Sequence, residues 1–368
     1  GLEDPELSAH LAILAGSVLE DGTTGSRELD LILRDVRSGS PHPFEILNAL
    51  PRTERDRVLD SARAAAGLEH LPWPLRRDLR AGTDLAERRV ELRFEGHRSY
   101  IRLIRPQSLN ALDPEMLDEL STLWHEAEAR VESGEIVLEA EGPAFMAGID
   151  LARILEWMES DRLDRIEGFV RSAHRFLAQV DASPLRTIAC VDGLAVGAGA
   201  EFCCAFDRIY VTNQARLGFP ELSLGIYPAM GGTQRLPRRV GAHRARALVL
   251  EGRPVSARRA VRDGLVNAIV TDPEDLDHHL ALPTRARAAT LPLAEEGSGV
   301  ELPDPQRWKN RAPVALALVE ELIDSSRRVP LTEGLTREIA GLSRVFSTEA
   351  ALHGIRRAVG RTRRSRTL

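Results

Sequence analysis

Glu201 and Glu221 are the residues of this chain best suited to do chemistry. Glu201 ends the run VDGLAVGAGAE, and Glu221 follows twenty residues later inside LGFPELSLGIYPAMGGTQRLP. About fifty residues before Glu201 lies PAFMAGIDL, a small-residue turn able to aim a backbone N–H at a developing oxyanion. Paired carboxylates can trade a proton with water or carbon, and fixed N–H donors can hold negative charge on a carbonyl oxygen. Together they could add water to, or take a proton from, a carbon next to a carbonyl. Neither step calls for a metal or a redox group.

Three loops must position these groups. RPQSLNAL (105–112) ends a strand and opens a helix. FMAGIDL (145–151) sets Gly148 beside Ile149 where a second helix begins, and DGLAVGAGAE (192–201) repeats the device. The start of a helix offers unpaired N–H groups and the positive end of its dipole, which suits an oxyanion. Glycine and alanine let the backbone approach a ligand closely.

The surrounding pattern is α/β. VELRFEG and SYIRLIRP alternate like two strands around the turn EGHR. LNALDPEMLDELSTLWHEAEARV reads as a helix, with Asp113 at the N-cap and Pro114 at its first position. EIVLEAEG, RTIACVDG and DRIYVTN read as strands, interleaved with helices at IDLARILEWME and from Arg162 to Val180. Residues 1–90 read as an all-helical N-terminal extension, 91–270 as the catalytic core, and 271–368 as a connector followed by a helical C-terminal part. The arginines of RLPRRVGAHRAR (235–246) are expected at a surface, against a neighbouring subunit or a phosphate-bearing ligand. Trp157, in ILEWMES, could line an acyl pocket, although its spacing also suits a core position.

Composition narrows the class. A net charge of −6 argues against a nucleic-acid binder. Three cysteines, two of them adjacent, suit small buried hydrophobes in a reducing compartment rather than a disulfide framework. The ten histidines show no metal-ligand spacing. No apolar run is long enough for a membrane span, and no secretion signal opens the chain, so a cytoplasmic location is expected. GAGAE is not a dinucleotide fingerprint.

RPQSLNAL, FMAGIDL, DGLAVGAGAEF, LGFPELSLGIYPAMGGTQRLPRRVG and LEGRPVSARRAVRDGLVN, taken in this order, resemble the crotonase (enoyl-CoA hydratase/isomerase) superfamily. The resemblance is strong over about 92–270 and looser over 311–360. It implies a spiral of ββα repeats, a homotrimer or dimer of trimers, and an acyl-CoA thioester as substrate. Coenzyme A then belongs to the substrate, and no cofactor is permanently bound. By motif position the N–H groups of Ile149 and Ala198 hold the thioester oxygen, where the family usually has Gly in place of Ala198. Glu201 and Glu221 match the two glutamates with which hydratases add water across a 2,3 double bond. Asn110, Ala111, Leu112, Ala147, Gly148, Asp150, Gly197 and Trp157 are the implied substrate-binding positions. Isomerases of the family typically keep only the second carboxylate, so the pair favours a hydratase over an enoyl-CoA isomerase. Ile149 and the stretch LILRDVRSGSPHPFEILNALPR are instead similar to a cofactor-free branch that oxidises 3,5-dihydroxyphenylacetyl-CoA. That likeness implies the alternative, a cofactor-independent dioxygenase of an arylacetyl-CoA.

Overall fold

A computed structural model describes residues 88–130, 134–271 and 312–365, with isolated positions at 50, 57, 58, 61, 302–304 and 306. Apart from those positions, the helical segments expected before residue 88 and the connector expected at 281–305 lie outside the described residues. The chain divides into two compact units, Gly1–Tyr100 and Ile101–Leu368. The described part of the first holds β1 (Val90–Glu95) and the start of β2 (Arg98–Leu103), separated by a turn at Gly96 and His97.

The second unit builds its site by repetition. A single 3-10 turn, Pro106–Ser108, leads into α1 (Pro114–Arg130). Asp113 caps α1, its Oδ1 accepting from Met116 N at 2.8 Å. Then come β3 (Glu135–Ala140), β4 (Ala144–Met146), α2 (Leu151–Glu159) and α3 (Leu163–Ala182). The next repeat is β5 (Arg186–Val191), β6 (Leu194–Val196) and α4 (Ala198–Cys203). The third starts with β7 (Arg208–Val211) and β8 (Arg216–Gly218), then a 3-10 helix, Glu221–Leu224, and α5 (Gly232–Val240). α6 (Ala242–Glu251), β9 (Val255–Ser256), α7 (Ala257–Arg262) and β10 (Ala268–Ile269) follow. The C-terminal part is helical: α8 (Pro313–Ser325), α9 (Leu331–Ala340), α10 (Leu342–Phe346) and α11 (Glu349–Ser365).

In each repeat the first strand joins one sheet and the second a smaller one. β3, β5, β7 and β10 are parallel neighbours. β4, β6 and β8 run parallel in the second sheet, with β9 antiparallel at its edge. This is a ββα spiral, as expected. The small sheet escapes a reading of the sequence because its strands are two or three residues long, too short to display a period of two.

The core holds α4 in place through aromatic rings. Trp124 on α1 meets Phe176 of α3 edge-on, with centroids 5.7 Å apart. Phe176 in turn stacks on Phe202 at 5.8 Å. Such pairs contribute about 0.5–1.5 kcal/mol beyond the area they bury. Phe202 is the residue after Glu201, so this wedge fixes the backbone that carries the carboxylate.

The arginine-rich stretch 235–246 is not the surface ribbon the sequence suggests. Arg235 and Arg239 are buried. Arg239 donates to the carbonyls of Leu265 (2.8 Å) and Phe206 (3.1 Å) and to Asn267 Oδ1 (3.0 Å), tying α5 to the segments beside it. Arg235 pairs with Asp181 at 2.6 Å. A guanidinium with a fork of donors can be buried where carbonyls and carboxylates meet it, and a lone residue count does not reveal that. Cys203 and Cys204 are buried free thiols. Burial raises both, Cys204 to about 11, which leaves them unreactive. Among the described residues no helix is long and apolar enough to cross a membrane.

Candidate active site

The loop 105–112 and the turn at 146–150 are stitched together first. Asn110 sits at φ 52 with its side chain buried. Its Oδ1 accepts from Arg105 N at 2.7 Å, and its Nδ2 donates to the carbonyls of Glu141 (2.9 Å) and Ala144 (2.8 Å). Ala111 gives its carbonyl to Arg105 Nη1 at 2.8 Å. Leu112 bridges Ile149 in parallel: its N–H donates to Gly148 O, and its carbonyl accepts from Asp150 N, both at 2.8 Å.

In such a bridge the middle residue of the opposing strand turns its own N–H the other way. The Ile149 N–H therefore faces away from Leu112 and meets no acceptor among the described residues. Asp150 caps α2 through Ala152 N and Arg153 N, so Ile149 precedes the helix. Its donor is freed by the bridge rather than by a helix end.

Ala198 is the first residue of α4, where an N–H has no partner within the helix. It too meets no acceptor among the described residues. Gly197 makes this possible. It holds φ 57 and ψ −128, a conformation closed to residues with a Cβ, and its N–H is anchored on Gly218 O at 2.9 Å. With six residues in α4, the free donor itself counts for more than a macrodipole.

Both donors and both glutamates line one cavity of ≈ 240 Å³. Ala147, Gly148, Ile149, Gly197, Ala198, Glu201 and Glu221 form one part of its wall. The remainder is mostly apolar, with Ile154, Ile166, Phe169 and Val170 from α2 and α3, and Phe346 from α10. Asn110, Ala111, Leu112 and Asp150 lie outside the lining and shape the turn that bears Ile149. Trp157 is also outside it, packed edge-on against Phe169 at 6.1 Å.

The two carboxyls are in unlike settings. Glu201 Oε2 accepts from Met230 N (2.8 Å) and Gly232 N (2.7 Å). Both oxygens of Glu221 are buried, and among the described residues the one side-chain partner within reach of them is the Glu201 carboxyl. Burial, followed by the charges of Glu221 and Glu338, pushes Glu201 well above the ordinary carboxylate range. Burial pushes Glu221 up to about 8. Two such neighbours titrate as a pair, and in the neutral range they hold a proton between them.

That shift has a consequence for stability. Between about pH 4.5 and about 8 the folded protein keeps a proton on Glu221 that the unfolded chain has released. Stability therefore falls as pH rises through that window. Glu221→Gln is expected to be more stable than the parent at pH 8–9, by up to a few kcal/mol, and so to melt higher, and the gain should fade toward pH 4. Thermal melts across this range check it, and a gain that is equal at every pH would contradict the shift.

The groups that grip Glu201, Met230 N and Gly232 N, were not anticipated, although GGTQRLP marks their place in the sequence. Phe346 was also missed as a wall of the cavity, because a C-terminal aromatic carries no local signal of where it packs.

The enoyl-CoA hydratase/isomerase family model matches residues 95–292. The chain belongs to this family. It is 30% identical to a short-chain-enoyl-CoA hydratase of Clostridium acetobutylicum, over 71% of the chain and 90% of that protein. An enoyl-CoA hydratase structure from Rhodobacter sphaeroides superposes with a TM-score of 0.63 at 25% identity, covering 75% of this chain and 91% of that one. A carnitinyl-CoA dehydratase from Mycobacterium thermoresistibile shares the fold, with a TM-score of 0.62 at 21% identity. The chain is thus a crotonase-fold enzyme whose described relatives act on acyl-CoA thioesters.

Proposed function

We propose that this enzyme hydrates a 2-enoyl-CoA to a 3-hydroxyacyl-CoA. One observation carries the reading: two buried carboxyls and two unspent backbone donors face a single cavity. In this reading the thioester oxygen accepts from Ile149 N–H and Ala198 N–H, which stabilise the enolate. A water lies between Glu201 and Glu221. Glu201, fixed by two amides, orients the water, and Glu221 is the main acid–base group. Hydroxide adds at C3 and a proton at C2, so the pair ends with the proton count it began with. Glu221 suits this role, since among the described residues Glu201 is the one side chain that hydrogen-bonds its carboxyl. The apolar wall from α2, α3 and α10 takes the acyl group, with coenzyme A carried by the substrate and no permanently bound cofactor.

A homotrimer or dimer of trimers, and a division into an extension at 1–90, a catalytic core at 91–270 and a C-terminal region at 271–368, belong to the same proposal. Light scattering and limited proteolysis check them.

The deciding experiment incubates the protein with enoyl-, 3-hydroxyacyl- and arylacetyl-CoA esters, with and without oxygen, and weighs the products. Gain of one water by an enoyl-CoA, independent of oxygen, is expected. An oxygen-dependent product from an arylacetyl-CoA would replace this reading with the dioxygenase one. A shifted double bond with no mass change would replace it with the isomerase one.

A further inference from the structure

Glu338 lies on α9, far from the motif loops in sequence, and its side chain is wholly buried. Its Oε1 accepts from Gly231 N at 2.6 Å, and its Oε2 from Thr233 N at 3.1 Å and from the Thr233 hydroxyl. The amides between and before these serve the other carboxylate: Met230 N and Gly232 N donate to Glu201 Oε2. Four successive N–H groups therefore alternate between two glutamates on opposite sides of one turn. Gly231, at φ 95 and ψ 0, is the residue that lets the chain reverse there.

The same helix adds a second tie. The carbonyl of Glu338 accepts from Tyr227 Oη at 2.5 Å, and Tyr227 lines the cavity. The turn has few ways to shift without breaking a charge-assisted bond in a water-poor interior, where such bonds are strong and unpaired groups costly.

We propose that Glu338 is a positioning residue for hydration: by holding Gly231 and Thr233 it keeps the Met230 and Gly232 amides on Glu201, and so keeps the Glu201 carboxylate aimed at the water. The proposal rests on the hydratase reading; its thermal test does not. The charged or titratable groups around the clamp are Glu201 on α4, Glu221 on the 3-10 helix, Tyr227, and His174 on α3, whose Nε2 is 3.3 Å from Glu338 Oε1 and 2.8 Å from Ala229 O. Cys204, just past the end of α4, and Arg235, whose Nη1 lies against Gly231, complete the set. The negative charge of Glu338 bears on both catalytic glutamates and raises them.

The test compares Glu338→Gln with the parent. A glutamine keeps the shape, but it brings an NH2 donor toward backbone donors and removes the charge. Turnover of an enoyl-CoA per folded molecule is expected to fall by up to about a hundredfold, with KM changed less than about threefold. An unchanged turnover in folded Glu338→Gln would overturn the proposal and leave Glu338 as a plain structural contact. If that variant does not fold, Thr233→Val removes one donor to Glu338 and is expected to lower turnover by less. A parent-like Thr233→Val then overturns the proposal.

A second readout needs no substrate. The pH dependence of thermal stability reports the buried pair, and in Thr233→Val, which keeps the charge of Glu338, amides released from Glu201 should move its midpoint toward alkali. A parent that hydrates nothing refutes the hydratase reading. A midpoint that stays in place refutes the clamp.

Discussion

Glu221→Gln is expected to lose about a hundred- to ten-thousand-fold in turnover of an enoyl-CoA while its affinity for a saturated acyl-CoA changes little. Glutamine fills the same volume but can neither take nor return a proton at working pH. The binding energy lies elsewhere: the thioester oxygen sits on backbone N–H groups, and the acyl chain sits among Ile154, Ile166, Phe169 and Phe346. The carboxyl oxygens of Glu221 anchor no neighbouring donor, so removing the charge leaves no stranded N–H behind. The fold should gain rather than lose stability, as burial of the ionised form is what raises this group to about 8. Loss of activity with retained binding and a raised melting point would be hard to produce by misfolding. Calorimetric titration with a saturated thioester, alongside initial rates with the enoyl ester, checks the prediction. Lost binding with unchanged turnover per bound substrate would sink the acid–base role.

How far the sequence alone could lead depended on the range over which each signal acts. Asp113 before Pro114 and the glycines at 148 and 197 are local devices, and they act where the motifs place them, whereas Asp150, expected at the substrate, caps α2 instead. The longer strands and helices announce themselves by their periodicity. Ile149, Ala198, Glu201 and Glu221, separated by up to about seventy residues, line the same cavity, because successive ββα repeats bring the same corner of each unit together. The C-terminal contributions stayed hidden for the opposite reason. Glu338 is 107 residues from the amide it receives, and Phe346 reaches the cavity from another helix. A buried glutamate on an amphipathic helix looks like any solvated one until the opposing turn is in place. Arg235 and Arg239 misled for the same reason, since their partners Asp181, Phe206 and Leu265 come from other elements.

Ala198→Pro is expected to lower turnover by about a hundred- to a thousand-fold, or about 2.7–4 kcal/mol of transition-state stabilisation, in a protein that still folds. Only proline deletes a backbone N–H, and in most of a helix it would also break the structure. Position 198 is the exception. It opens α4, where proline's fixed φ is tolerated and the N–H has no helical acceptor to lose. The residue before it, Gly197, is outside the right-handed helical region that a following proline disfavours. The ring carbon replacing the hydrogen also crowds the thioester, so Ala198→Gly is the matched control: it keeps the donor, restores room, and should remain within a few-fold of the parent. With the donor gone, the enolate oxygen keeps Ile149 N–H alone. An enolate gains more from each donor than the neutral thioester does, so the loss should fall on kcat more than on KM. Initial rates with an enoyl-CoA, together with a thermal melt of each variant, decide it. A folded Ala198→Pro as active as the parent would take this N–H out of the mechanism and leave the glutamate pair to work without a two-donor oxyanion site.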